Sequence, residues 1–208
     1  MKRKLLMLIV FLFSFSSCSS KKINLLLGYP LDVPCSLLFT SFSYENMNIA
    51  SLYELICKDG ELLNTKKKIS SYIKNSHKII LNIGLYDILS FVKIIDGKVS
   101  YSSSLIQKKI ELYSYYFYKT IDLIYEINKK VDLLVLGIYN PLVIEESAKI
   151  NEIISLINND EQEILSSYPF KYYVNESLSS YLESSFSLNE EGKKIYISSI
   201  DSFINEAS

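Results

Sequence analysis

A chain of 208 residues, 49% hydrophobic and 22% charged, is long enough for one domain with a sizeable core and too apolar for a disordered segment. Its formal net charge is −1, from 22 basic against 23 acidic residues, and loss of the leader bases Lys2, Arg3 and Lys4 would make it more acidic still, which excludes a general nucleic-acid binder. With one histidine, His77, and no Cys-x-x-Cys among three cysteines, no metal site is expected, and no cofactor either.

Residues 1–17 read as a separate unit. Lys2, Arg3 and Lys4 make a basic head, and Leu5 to Phe13 is an apolar stretch of about nine residues, too short to span a bilayer. Ser14-Phe15-Ser16-Ser17-Cys18 follows, mostly small residues running into a cysteine. This resembles a bacterial lipobox, with Phe15 where leucine is usual. The resemblance implies a signal peptide over 1–17 and diacylglyceryl transfer to the Cys18 thiol; the alternative is an ordinary signal peptide, or an uncleaved anchor, with an incidental cysteine. Residues 18–22 would then be a lipidated cysteine and a very short tether, holding a domain of residues 23–208 outside the cytoplasm at a bacterial membrane. Two or three acyl chains anchor stably where one binds only marginally. No later apolar run reaches about 18 residues, so nothing else is expected to span the membrane. Cys35 and Cys57 either pair as a disulfide in that compartment or stay as buried free thiols.

Ile23 to Leu27, broken only by Asn24, reads as a strand covered on both faces, ending in a Gly28-Tyr29-Pro30 turn. A loop from Asp32 leads into a short helix over Ser36 to Phe42, and Met47 to Ala50 reads as a second short strand. Lys58-Asp59-Gly60-Glu61 is a turn, and Glu61 to Lys74 a helix with Leu62, Leu63, Ile69, Tyr72 and Ile73 on one face. His77 precedes the clearest central strand, Lys78 to Gly84. Ile88 to Val92 starts another helix, and Asp96-Gly97 is a hairpin signal. Ser103 to Lys130 is a long helix with a broad apolar face, whose aromatic run Tyr113 to Tyr118 reads as packing against the sheet. Val131 to Ile138 is a buried strand ending in Tyr139-Asn140-Pro141. Glu145 to Leu165 reads as a helix interrupted at Asn158-Asn159-Asp160, Phe170 to Val174 as the last strand, and Ser187 to Ile204 as a final amphipathic helix capped by Ser187 or Asn189. The Ser-rich stretch Ser177 to Ser187 reads as a loop and a helix start.

Strands alternating with helices predict an α/β fold, a three-layer α/β/α arrangement around a mainly parallel sheet of about five strands. Ligand sites in such folds lie at the carboxyl ends of the strands. Those ends, in order, are Gly28-Tyr29-Pro30-Leu31, Ile83-Gly84-Leu85-Tyr86-Asp87, Tyr139-Asn140-Pro141 and Ser184-Ser185-Phe186-Ser187-Leu188-Asn189-Glu190-Glu191-Gly192. The set resembles the SGNH (GDSL) hydrolase family over roughly Ile23 to Ile204. In that family the first block is G-D-S-L with a serine nucleophile, the third I-G-x-N-D with an oxyanion asparagine, and the last D-x-x-H before the final helix. By that resemblance Pro30 stands for the serine, Tyr86 for the asparagine, Ser184 for the aspartate and Ser187 for the histidine. Asn48-Ile49-Ala50 is similar to the second block, whose glycine would fall near Tyr53 or, less well, at Gly60.

Acyl transfer needs a nucleophile, a base and oxyanion donors. Pro30 has neither a hydroxyl nor a backbone N–H, and Ser187 has no imidazole. The expected protein is therefore a catalytically inactive SGNH-like domain acting as an envelope binding or structural module. Its crevice, with Tyr29, Tyr86, Asp87, Tyr139 and Asn140, would take a glycan or acyl ligand; any protein partner is unspecified. The alternatives are an active esterase or acylhydrolase with a displaced site, built on Asp87 with Glu183 or on Asp32 with Tyr29, and a surface adhesin.

Overall fold

A computed structural model describes residues 23–28, 44–48, 66–173 and 176–206. The expected leader, Cys18, the expected tether, Tyr29, Pro30, Asp32, Cys35, the expected helix over 36–42, the block after Asn48 and Cys57 lie outside the described residues.

The sheet has five parallel strands in the order β2-β1-β3-β6-β7, formed by β1 (Ile23–Gly28), β2 (Tyr44–Asn48), β3 (Ser76–Asn82), β6 (Asp132–Leu136) and β7 (Phe170–Tyr173). Leu26 sits between Asn46 and Ile80, and Ile80 is opposite Leu134. Successive strand side chains point to opposite faces, and the core divides accordingly. Leu25, Leu27, Ile79, Leu81, Leu133 and Val135 pack beneath α1 (Lys66–Asn75), α3 (Ser103–Ile127) and α4 (Ser147–Leu165). Leu26, Ile80, Leu134 and Leu136 pack against Tyr196, Ile200, Phe203 and Ile204 of α5 (Glu190–Asn205). The three expected layers are present.

Local differences have local causes. β2 starts three residues earlier than its apolar signal suggested, because a short edge strand of Tyr-Glu-Asn-Met-Asn has little hydrophobic pattern to read. The long helix α3 stops at Ile127, since Asn128 leaves the helix to donate its side-chain amide to Ile73 O and Ser76 O at 2.9 and 2.8 Å. The Asp96-Gly97 signal produces the hairpin of β4 (Lys93–Ile95) and β5 (Lys98–Ser100), with φ of 51° and 74° at the two turn residues. α4 runs unbroken through Asn158-Asn159-Asp160. The final helix begins at Glu190, and Ser187 belongs instead to a small hairpin, β8 (Leu182–Ser184) with β9 (Ser187–Leu188), that follows a 3-10 turn at Glu176–Tyr181.

Lys78, expected to be an ordinary strand residue, is 4% exposed. Its Nζ donates to the carbonyls of Phe203, Ile204 and Glu206 at 2.7, 3.1 and 2.7 Å. A cation thus closes the C-terminal end of α5, where unpaired carbonyls and the helix dipole both favour positive charge. Among the described residues no helix is long and apolar enough to cross a membrane.

Candidate functional site

The carboxyl ends of β1, β3 and β6 lie side by side, and two of their turns require glycine. Gly28 ends β1 at φ 124°, and a Cβ there would fall 2.0 Å from Asn82 O, in the backbone of the neighbouring strand. Gly84 has φ 109°, and a Cβ there would meet Tyr113 Oη at 2.2 Å and Ile138 Cδ1 at 2.8 Å. A side chain at either position would meet both the wrong backbone conformation and occupied space. Gly84 opens the short helix α2 (Leu85–Leu89), which carries Tyr86 and Asp87, both half-buried.

The turn after β6 holds Tyr139 and Asn140. Tyr139 is half-buried, edge-on to Tyr196 at 6.4 Å and packed against the α5 side of the core. Asn140 is 4% exposed, and its amide is engaged within the scaffold. It donates to Ser147 O and Asn151 Oδ1 at 3.2 and 2.8 Å and accepts from Leu142 N at 3.0 Å. Of the expected crevice residues, Asn140 is therefore structural: it holds the turn that presents Tyr139.

The β8–β9 hairpin docks on this turn. Phe186 N donates to Pro141 O at 2.7 Å, Val143 N to Ser185 Oγ at 3.0 Å, and Ser179 Oγ to Asn140 O at 3.0 Å. Ser184 and Ser187 are cross-strand partners in the hairpin. The Ser187 hydroxyl, however, donates to Glu183 Oε1 at 2.8 Å. The partner of Glu183 is thus the serine two positions before the Asn189 cap, not the Asp87 of the displaced-site alternative. Asn189 Oδ1 accepts from Gly192 N at 2.9 Å and so starts α5, while Gly192 abuts Tyr181, whose Cβ would lie 2.6 Å from a Cβ at 192. Glu190, in the first turn of α5, pairs with Lys193 at 2.8 Å, and this partner holds its carboxyl below the usual range.

His77 lies inside β3, as its second residue, at the amino edge of the sheet. The five residues from there to Asn82 separate it from the strand ends by roughly 17 Å. The histidine and the serine hairpin thus stand at opposite edges.

Behind the two turns runs a buried polar chain that the sequence reading missed. Tyr113 Oη, wedged under Gly84, donates to Glu161 Oε1 at 2.5 Å. Tyr172 Oη contacts Glu161 Oε2 at 3.4 Å and Asn158 Oδ1 at 3.2 Å. Asn158 accepts from Ile138 N at 2.9 Å and donates to Ile138 O at 2.8 Å. The polar positions that read as a helix interruption face inward and bind the β6 turn. Burial raises the Glu161 carboxyl to about 8, and the hydrogen bonds from Tyr113 and Tyr172 offset only part of that rise. Burial, and then the charge of Glu161, push the Tyr113 phenol well above its ordinary range.

No family model matches the sequence, and no curated protein matches it. Solved structures do. A GDSL-like lipase from Bacteroides thetaiotaomicron superposes with a TM-score of 0.54 at 14% identity, covering 90% of both chains. An acetyl-xylooligosaccharide esterase from Geobacillus stearmophilus gives 0.56 at 10% identity, over 90% of this chain and 96% of that one. A carbohydrate esterase, described by the divergent catalytic and non-catalytic binding functions of its active site, gives 0.50 at 8% identity, over 90% of this chain and 69% of that one. Five parallel strands between helical layers, matched over nearly whole chains, are the fold of the SGNH, or GDSL-like, hydrolases.

Proposed function

We propose that the protein is a lipid-anchored envelope protein whose SGNH-like domain binds a ligand and does not hydrolyse it. The observation that carries the reading is the Ser187 hydroxyl donating to Glu183 at 2.8 Å. The resemblance puts a base at that position, and a serine spending its proton on a carboxylate is a donor. The chain's single histidine stands at the far edge of the sheet. Pro30, at the position of the nucleophile, has no hydroxyl to activate. Loss of such a triad typically costs on the order of a millionfold in rate. Binding is the remaining use of a strand-end frame whose glycines are still required by its packing. One matched esterase is described as having non-catalytic binding functions, which is a precedent on this fold.

Half-buried phenols at Tyr86 and Tyr139 suit a glycan or an acyl chain, since such rings both stack and hydrogen-bond. Cys18 precedes β1 by five residues, and β1 enters the sheet at its amino edge. With the anchor on Cys18, the amino edge would face the membrane and the crevice would open away from it.

The test is fluorophosphonate labelling and p-nitrophenyl acetate turnover on the purified protein. Neither labelling nor turnover above buffer is expected; labelling of one serine would establish the displaced-site esterase instead. Binding of soluble peptidoglycan oligosaccharides, compared with a Tyr86→Ala/Tyr139→Ala double variant, tests the crevice, and equal affinity would remove it as the site. Cys18→Ala should release the protein from the membrane fraction, and unchanged partitioning would remove the lipid anchor.

A further inference from the structure

The two turns that carry Tyr86 and Tyr139 are held from behind by one continuous set of groups, buried except for the half-buried Tyr172, from Gly84 through Tyr113, Glu161, Tyr172 and Asn158 to Ile138. At its centre is a carboxyl group 1% exposed, with Tyr113 itself 3% exposed. We propose that Glu161 is a proton-dependent latch: in its neutral form it joins the β3 and β6 turns into one rigid floor, and its ionisation uncouples them.

The neighbours fix the sign. Glu161 is faced by Tyr113 from α3, by Tyr172 from β7 and by Asp160 on its own helix, while Asp87 on α2 acts on Tyr113. Among the described residues no cation acts on either side chain. A negative charge created at Glu161 therefore loses its hydration and meets the charge of Asp160 on the same helix. In the neutral acid Tyr113 donates to Oε1 and the acid's own O–H faces Tyr172 Oη, which leaves the Tyr172 proton for Asn158 Oδ1; the carboxylate instead draws the Tyr172 proton to itself and away from Asn158. The carboxyl's raised value, about 8, places the change just above neutrality. Asp160 accepts from Ser114 Oγ at 2.6 Å and lines an open groove of about 440 Å³ between α3 and α4 with Ser114, Tyr118 and Tyr168.

The latch itself does not depend on what the crevice binds; its consequence for ligand affinity rests on the binding role proposed above. Fluorophosphonate labelling that overturned that role would leave the latch standing. The experiment is an amide titration of the ¹⁵N-labelled full chain in detergent between pH 6 and 9.5. The Gly84 and Ile138 amides should shift together with a midpoint near pH 8, and Glu161→Gln should abolish the shift at both. Tyr172→Phe cuts the chain between Glu161 and Asn158, so it should abolish the titration at Ile138 and leave it at Gly84. A wild-type Ile138 that does not titrate in this range, or a titration that survives Glu161→Gln, overturns the proposal. Equal shifts throughout the sheet, including the β1–β2 pair, would also overturn it, since they would report global loosening.

Discussion

Glu161 makes a prediction about stability as well as about the site. Its carboxyl ionises near 4.5 in an unfolded chain and at about 8 in the folded one. Below pH 4.5 both states hold the proton and the group contributes nothing to pH dependence. Between the two values the unfolded state releases the proton and the folded state keeps it, so stability falls as pH rises. Each pH unit in that window removes about 1.4 kcal/mol. The whole window would remove roughly 5 kcal/mol, and on the order of 2–5 kcal/mol once water entry into the site is allowed for. Above pH 8 both states are ionised and the slope vanishes. Glu161→Gln keeps an acceptor for Tyr113 and removes the titration. Urea unfolding followed by circular dichroism, at pH steps from 5 to 9, should show wild-type stability declining to a plateau near pH 8. The variant's curve should be flatter, and above the wild type by about 2 kcal/mol or more at the alkaline end. Parallel curves for the two proteins would refute the assignment of a buried neutral acid.

Three further substitutions test the frame. Lys78→Met fits the apolar stem but abandons three carbonyls at the end of α5, so a loss of about 2–4 kcal/mol is expected in the same unfolding assay; a loss under about 0.5 kcal/mol would mean that water caps this helix equally well. Gly28→Ala must push a Cβ into the β3 backbone at a φ of 124°, and should cost about 3 kcal/mol or prevent soluble expression. A neutral outcome at Gly28 would contradict the close approach of β1 and β3. Asn189→Ala removes the side-chain cap on Gly192 N and should cost about 1 kcal/mol, with Asn189→Asp recovering most of it.

What could be read in the sequence follows from how each signal arises. The strands β1, β3 and β6 are covered on both faces, so they appear as apolar runs, such as Leu25 to Leu27, Ile79 to Leu81 and Leu133 to Leu136, without polar alternation. Asp96-Gly97 was legible because its conformation is local and needs φ above zero at both residues. β2 was misplaced by three residues because an edge strand owes its position to backbone pairing, which leaves no hydrophobic trace. The serine-rich stretch hid the β8–β9 hairpin for the same reason: Phe186 and Ser185 secure it to Pro141 and Val143 through main-chain and hydroxyl contacts. Asn158 read as a helix interruption and Glu161 carried no signal, because polar residues on a helix are ordinarily solvated. Only the three-dimensional approach of Tyr113, Tyr172 and Ile138 makes them interior.

The same distinction separates the turns that the fold requires from the side chains it leaves open. Gly28 is fixed by Asn82 O, Gly84 by Tyr113 and Ile138, Gly192 by Tyr181, and Asn189 by the open N–H of α5. Each is required by backbone geometry that the fold needs whether or not anything reacts there. Among the described residues no such packing constraint is seen at Ser184, which is exposed, or at Ser187, whose hydroxyl donates to an exposed Glu183. A side chain there can change without disturbing the sheet. A frame resembling a hydrolase therefore measures what folding demands of these positions, and the chemistry must be judged from Ser187, Glu183 and the distant His77. That is why labelling of a serine, a measurement on the reacting atom itself, decides between binding and hydrolysis where further refinement of the frame would not.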